Sequence, residues 1–250
     1  MNITGNTILI TGGGSGIGRA LAEALQAAGN NIIIAGRRRA ALEETVAANP
    51  GMALKVLDIE DAGAIRDFAA TLVTEHPALN VVIHNAGIMR AENLLAEPFD
   101  LTDAEATITT NLLGPIRLTA ALLPHLRQQP QATIMTVSSG LAFVPLTATP
   151  TYNATKAAIH SYSQSLRFQL RDTTVQVIEL VPPAVATDLM PGHAANPHSM
   201  PLDAFISESI ALLQANPTAE EICVERVDRL RNAEAGGQYQ QVFAMLNQPR

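Results

Sequence analysis

The stretch TGGGSGIG, residues 11–18, decides the fold: the apolar run Thr7–Ile10 leads into it and the helical pattern Ile17–Ala28 leads out. Glycine allows the backbone to turn sharply and to approach a ligand with no Cβ in the way. A helix that opens there offers free N–H groups and a partial positive charge, which together attract phosphate. The essential spacing is Gly12, Gly16 and Gly18, which differs from G-x-G-x-x-G. In its strand–turn–helix setting, the loop reads as the phosphate cradle of a nucleotide-binding unit.

Outward from the loop, short apolar, β-branched runs alternate with longer helical patterns. The remaining strand candidates are Asn31–Ala35, Leu54–Leu57, Val81–His84, Thr133–Val137 and Val175–Leu180. Their near-continuous apolarity fits parallel strands covered on both faces. Helices are expected at Ala40–Ala48, Asp61–His76, Asp103–Arg127 and Tyr152–Arg171, and Gly29 stands where a cap for the first helix belongs. Repeated β-α-β units predict one α/β domain over residues 1–250: a Rossmann-type doubly wound parallel sheet with helices on both faces. Ligands of such sheets bind beyond the carboxyl ends of the strands. The proline-rich segment 183–201 reads as a long loop of the kind that forms substrate lids. Residues Leu202–Asn247 read as helical, with no convincing further strand.

Composition narrows the function classes. Formal charge is −7, from 16 basic and 23 acidic residues, which argues against a nucleic-acid-coating role. No apolar run approaches the ~18 residues of a membrane span. A single cysteine, Cys223, excludes an internal disulfide framework. With no signal-peptide pattern at the N-terminus, this predicts a cytoplasmic location.

The second strand ends in AGRRRAALEE. A dinucleotide site that prefers NAD would place an Asp or Glu there for the adenosine ribose. This chain has Gly36, then Arg37, Arg38 and Arg39. Cations at a helix N-terminus oppose its dipole, by ~0.3–1 kcal/mol each when exposed. An anionic partner removes that conflict, and the 2′-phosphate of NADP matches guanidinium geometry. The alternative is a solvated basic turn in which Arg39 pairs with Glu43.

In TYNATKAAIH, residues 151–160, Tyr152 and Lys156 share one helix face. An ammonium beside a phenol favours the phenolate; lowering a pKa of ~10 to ~7 takes about 4 kcal/mol, from Lys⁺ together with a positive nicotinamide. Ser138 and Ser139 end the strand Thr133–Val137 at the ligand edge, where a hydroxyl can stabilise charge on a carbonyl oxygen. Asn85 lies in HNAG at the end of the fourth strand, and Asn111 lies inside the long helix that follows.

These motifs resemble the short-chain dehydrogenase/reductase family in its compact form: T-G-x-x-x-G-x-G at Thr11–Gly18, N-A-G at Asn85–Gly87, Asn111, the serine of VSS, and Y-x-x-x-K at Tyr152–Lys156, in family order over residues 5–190. The resemblance implies an oxidoreductase that moves a hydride between NADP(H) and a small-molecule carbonyl or secondary alcohol. It implies Tyr152 as acid/base and Lys156 as the residue that lowers its pKa and holds the nicotinamide ribose. The family's serine lies thirteen residues before the tyrosine, which selects Ser139, and Asn111 supports a proton-relaying water chain. For the cofactor it implies Thr11, Gly12, Gly14, Ser15, Gly16, Ile17 and Gly18 around the phosphates, and Arg37 and Arg38 near the 2′-phosphate. Asp58 and Ile59 fall at the adenine, Asn85, Ala86 and Gly87 along the cofactor, and Pro182, Val185 and Thr187 near the nicotinamide. A homodimer through helices Asp103–Arg127 and Tyr152–Arg171 is expected, with a tetramer the further option. A non-catalytic NADP(H) sensor of the same fold is the rival reading; it fits less well because Tyr152 and Lys156 are both present.

Three departures stand out: Pro182-Pro183 in place of Pro-Gly, His84 where asparagine is frequent, and a C-terminus that makes a seventh strand doubtful. Met89, Phe143, Met190 and Met200 are candidates to line a substrate pocket, with core packing or loop burial as the equal alternative for each. His193 and His198 lack the further donors that a metal site requires.

Overall fold

The computed structural model describes every residue except 99, 193, 249 and 250. Its centre is one seven-stranded parallel sheet of order β3-β2-β1-β4-β5-β6-β7. The strands are β1 (Thr7–Thr11), β2 (Asn31–Gly36), β3 (Ala53–Val56), β4 (Leu79–His84), β5 (Ala132–Val137), β6 (Val175–Val181) and β7 (Glu221–Cys223). The helices that position the site are α1 (Gly16–Ala27), α2 (Arg39–Ala48), α3 (Ala62–Glu75), α4 (Thr102–Ile108), α5 (Gly114–Leu126), α6 (Pro150–Leu170), α7 (Leu202–Ala215), α8 (Asp228–Arg231) and α9 (Tyr239–Leu246).

Alternation along buried strands sends neighbouring residues into different cores. Ile8 and Ile10 join Leu21, Leu25, Leu42, Phe205 and Leu213 beneath α1, α2 and α7. Leu9 joins Ile65, Leu72, Leu118, Leu122 and Leu166 beneath α3, α5 and α6. A β-strand whose every side chain meets a covered face has no use for polar alternation, which is why these runs are apolar throughout. The strand order reverses between β1 and β4, so their carboxyl ends open a crevice.

Two expectations need correction. The C-terminal part is not wholly helical: β7 pairs with β6 through Glu179↔Glu221, Leu180↔Ile222 and Val181↔Cys223. Three residues starting with a glutamate carry no strand periodicity, so only pairing with β6 defines it. The long helix Asp103–Arg127 is also interrupted, by a π-helical turn at Thr109–Leu113 that contains Asn111. Widening the helix to i→i+5 bonding frees backbone groups, and such turns concentrate at functional sites.

His84 ends β4 fully buried, its Nε2 2.8 Å from Thr119 Oγ1 and its Nδ1 without a partner. Burial lowers its pKa to about 4 from 6.5. Between those values the unfolded chain binds a proton that the folded chain refuses. The stabilisation from keeping His84 neutral is therefore complete above pH 6.5 and is lost as pH falls toward 4, on the order of 3 kcal/mol. Thermal melts of His84→Asn protein are expected to lose this one-proton slope between pH 6.5 and 4; an unchanged slope would assign the acid sensitivity elsewhere.

Candidate active site

The crevice at the sheet's carboxyl edge is a cavity of about 1090 Å³. Its first wall is the glycine loop. Gly12 and Gly16 have φ of +71° and +53°, a backbone region that suits glycine. A Cβ at Gly18 would lie 2.3 Å from Asn85 Nδ2 and 2.4 Å from the Gly12 carbonyl oxygen. Thr11 and Asn85 bind the two strand ends to each other. Thr11 Oγ1 accepts from the N–H groups of Asn85 and Ala86, both at 3.1 Å, and Asn85 Nδ2 donates to Thr11 O at 3.0 Å. The first turn of α1 has no acidic residue and its cap, Ser15, makes no side-chain cap bond. The helix end thus keeps N–H groups and positive potential facing the cavity, a fit to a phosphate-bearing cofactor.

The arginines separate into different roles. Arg37 Nη1 lies 2.7 Å from Glu60 Oε1, and Arg39 lies 3.5 Å from Glu43, with both members of the latter pair exposed. Arg38 has no carboxylate partner among the described residues and donates through Nη2 to Ser15 Oγ at 2.9 Å, beside the glycine loop. All three arginines are exposed, but only Arg37 and Arg38 border the cavity.

The opposite wall comes from β5, the start of α6 and the loop after β6. Ser139, Tyr152 and Lys156 all line the cavity, and all three are buried. The Lys156 ammonium stands 5.5 Å from the Tyr152 ring centroid and donates to Val137 O at 2.7 Å. Burial pushes the Tyr152 phenol up to about 12, with its hydrogen bond to Ser139 pulling the other way. Burial brings Lys156 down to about 8, and the charge of Glu179 opposes that fall. The chain's own groups therefore keep the phenol protonated at neutral pH; Lys156 alone does not bring it near 7. Ser138 Oγ, fully buried, has no partner among the described residues, while Ser139 Oγ accepts from Leu141 N at 3.1 Å.

Asn111 stands behind the cavity wall. Its Oδ1 accepts from Ile88 N and its Nδ2 donates to Ile88 O, both at 2.9 Å, with a 3.3 Å contact to Thr155 Oγ1. Of the other sequence-derived positions, Gly14, Ile17, Ile59, Ala86, Gly87, Pro182, Val185 and Thr187 line the cavity. Gly18, Asp58 and Asn111 do not; Asp58 instead accepts from Glu60 N at 3.0 Å. Met89 and Met190 line it, whereas Phe143 packs edge-on against His160, 4.7 Å between centroids. Met200 is buried and bridges to Val185. His193 lies outside the described residues.

Residues that sequence reasoning did not name include Arg90, Leu146, Leu230, Leu246 and Asn247. The last two arrive from the far end of the chain: Asn247 Oδ1 accepts from Thr147 N at 2.7 Å and its Nδ2 donates to Pro145 O at 3.0 Å. No local pattern signals such a return.

A short chain dehydrogenase family model matches residues 6–197. The chain belongs to the short-chain dehydrogenase family. It is thus an oxidoreductase of a family that uses nicotinamide cofactors. It is 39% identical over 250 residues, 99% of this chain and 98% of the relative, to the uncharacterized oxidoreductase DltE of Bacillus subtilis (strain 168). Among solved structures, a short-chain dehydrogenase from Streptomyces avermitilis superposes with TM-score 0.81 at 25% identity over 96% of each chain. One from Burkholderia cenocepacia J2315, in complex with NADP, also gives 0.81, at 24% identity over 100% of each. As in these short-chain dehydrogenases, the sheet is open and parallel; no helix among the described residues is long and apolar enough to cross a membrane.

Proposed function

We propose that this short-chain dehydrogenase is an NADPH-dependent reductase, or reversible dehydrogenase, of small carbonyl and secondary-alcohol substrates. The observation that carries the reading is one cavity lined both by the glycine loop and by buried Ser139, Tyr152 and Lys156. Gly12, Gly14, Ser15, Gly16 and Ile17 hold the phosphates, with Gly18 packed beneath and Arg38 and Arg37 toward the 2′-phosphate. Asn85, Ala86, Gly87, Val185 and Thr187 flank the nicotinamide end. When bound, NADP(H) supplies the hydride and, oxidised, a positive ring.

The protein's own share is proton handling and orientation. Ser139 donates a hydrogen bond to the substrate oxygen and polarises it. Tyr152 gives its proton to that oxygen in reduction and takes it back in oxidation. A phenol held up to about 12 is fully protonated at neutral pH, the form that reduction requires. Lys156 holds ribose hydroxyls and favours the phenolate once the proton has left. Asn111, at the widened turn, supports the water path to Lys156. Met89, Leu141, Leu146 and Leu246 give the substrate side an apolar wall, suited to a carbonyl with an apolar flank.

Residues 183–201 are proposed as the lid of this single-domain enzyme. Backbone bonds at Ala186 N to Met200 O, 2.9 Å, and Met200 N to Ala184 O, 2.7 Å, hold its two ends together. Exposed Ile108 and Phe168 are consistent with a homodimer through α4, α5 and α6.

The deciding experiment is a carbonyl and alcohol panel run with NADPH and with NADH. Turnover with NADPH in clear preference is expected; tight NADPH binding with no turnover on any substrate supports the sensor alternative. In Arg38→Leu protein a charge-assisted bond worth ~1.5–3 kcal/mol is lost, so NADPH affinity should fall about 10–150-fold and NADH affinity stay within about twofold. Equal losses for both cofactors in fluorescence titrations would remove Arg38 from 2′-phosphate recognition.

A further inference from the structure

His84, Thr136, Glu179 and Glu221 occupy one register row across β4, β5, β6 and β7. Residues in register in a parallel sheet share a face, so this is a polar belt near the sheet's carboxyl edge. Helical and loop groups meet most of it: Thr119 at His84, Ser163 at Thr136 with Oγ atoms 2.7 Å apart, His160 at Glu179, and Arg231 at Glu221. Glu179 differs from the rest. It is the one acid among the buried side chains of the described residues, fully removed from solvent. Its Oε2 meets His160 Nδ1 at 2.8 Å, and its Oε1 has no partner. A buried carboxylate without sufficient positive neighbours is costly, so its surroundings must supply charge.

The cations facing it are few. Arg231 is held by both oxygens of Glu221, at 2.6 and 2.9 Å, beside Glu179, whose charge it also feels. That same grip weighs against a metal ion among His160, Glu179 and Glu221, because the guanidinium already occupies the Glu221 oxygens. Arg167 reaches past the site to Val177 O and Glu220 O. From β7, Cys223 and Glu221 add no positive charge. From α6, Tyr152, Lys156 and His160 recur at i, i+4 and i+8 on one stripe, and His160 touches Glu179. Lys156 donates to Val137 O, the strand residue after Thr136 in the belt, so its ammonium lies over the same end of the row as Glu179; burial lowers its pKa and the Glu179 charge opposes that fall.

We propose that Glu179, steadied by His160, is a positioning residue whose carboxylate keeps Lys156 an ammonium in its buried seat. It acts through Lys156 and touches neither cofactor nor substrate. The inference rests on the reading that Lys156 holds the nicotinamide ribose, so it is tested by cofactor binding without any substrate. NADPH affinity of the full chain is measured by fluorescence from pH 6 to 10 for wild type, Glu179→Gln and Glu179→Asp, with folding checked by circular dichroism.

Wild type should bind with an alkaline limb as Lys156 loses its proton. Without the opposing carboxylate, Lys156 deprotonates earlier, so the Glu179→Gln limb should move about one pH unit lower. The two affinities should agree at pH 6 and differ about tenfold at pH 9. Glu179→Asp, which keeps the charge on a shorter arm, should fall between them and carries the test if Glu179→Gln does not fold. A loss that is the same at every pH would mark Glu179 as merely structural and overturn the proposal, as would superimposable profiles. Failure of wild type to bind NADPH at any pH would overturn the cofactor reading itself, and this inference with it.

Discussion

Tyr152→Phe protein should fold as the wild type does, bind NADPH with unchanged affinity, and turn over carbonyl substrates about 10²–10⁴-fold more slowly, the usual contribution of a positioned general acid. The ring stays in its buried seat and only the hydroxyl is removed, together with its hydrogen bond to Ser139. The stability cost should be ~0.5–1.5 kcal/mol, the net worth of an ordinary hydrogen bond. The informative measurement is the split between constants, with kcat and kcat/KM falling together and the cofactor Kd unmoved. Retained wild-type turnover would leave Ser139 or a bound water as the proton source and would remove the central chemical assignment.

The second large effect belongs to Gly18→Ala. Its Cβ would meet the Gly12 carbonyl, a backbone atom that cannot swing aside, as well as Asn85 Nδ2. Asn85 in turn ties β1 to β4 where the strand order reverses. The substitution should cost ~1–3 kcal/mol through overpacking, or about 2–6 °C in melting temperature for a chain of this size. More telling, NADPH affinity should drop at least about tenfold, because the loop must shift by roughly an ångström and phosphate recognition depends on aligned N–H groups. Gly14→Ala is the contrast: its nearest neighbour would be the Ala41 backbone at 3.3 Å, so its melting temperature should move much less. A Gly18→Ala protein with wild-type melting and NADPH affinity would show that the loop does not need its observed closeness to Asn85.

The fold was legible because its main signals are local. Thr7–Ile10 and the runs after it are apolar on both faces, and Gly12 and Gly16 sit where the backbone turns to positive φ. The site was legible where a motif fixes spacing along one element, as for Tyr152 and Lys156. What escaped is non-local or polar. Strand β7 exists only through Cα pairing with β6, since Glu221-Ile222-Cys223 has no alternation to read. The π turn around Asn111 leaves no compositional mark, as TTNLLGP continues a helical pattern. Leu246 and Asn247 reach the cavity only because the chain folds back about a hundred residues to Pro145 and Thr147. Of the arginine cluster, the Arg39–Glu43 pair is local and legible, whereas Glu60, over twenty residues downstream, answers Arg37 without a local signal.

The loop that follows β4 grips the helix that bears the phenol. Glu92 accepts from Thr151 N at 3.0 Å and Thr151 Oγ1 at 2.7 Å, and its own N–H donates to Ala148 O at 2.9 Å. Thr151 is the immediate neighbour of Tyr152, and a carboxylate at a helix start is favoured by the dipole. The segment that carries Asn85, Ala86 and Gly87 along the cavity is thus latched to the first turn of α6. Displacement of either would drag the other, so Tyr152 and the segment Asn85–Gly87 travel as one mechanical part.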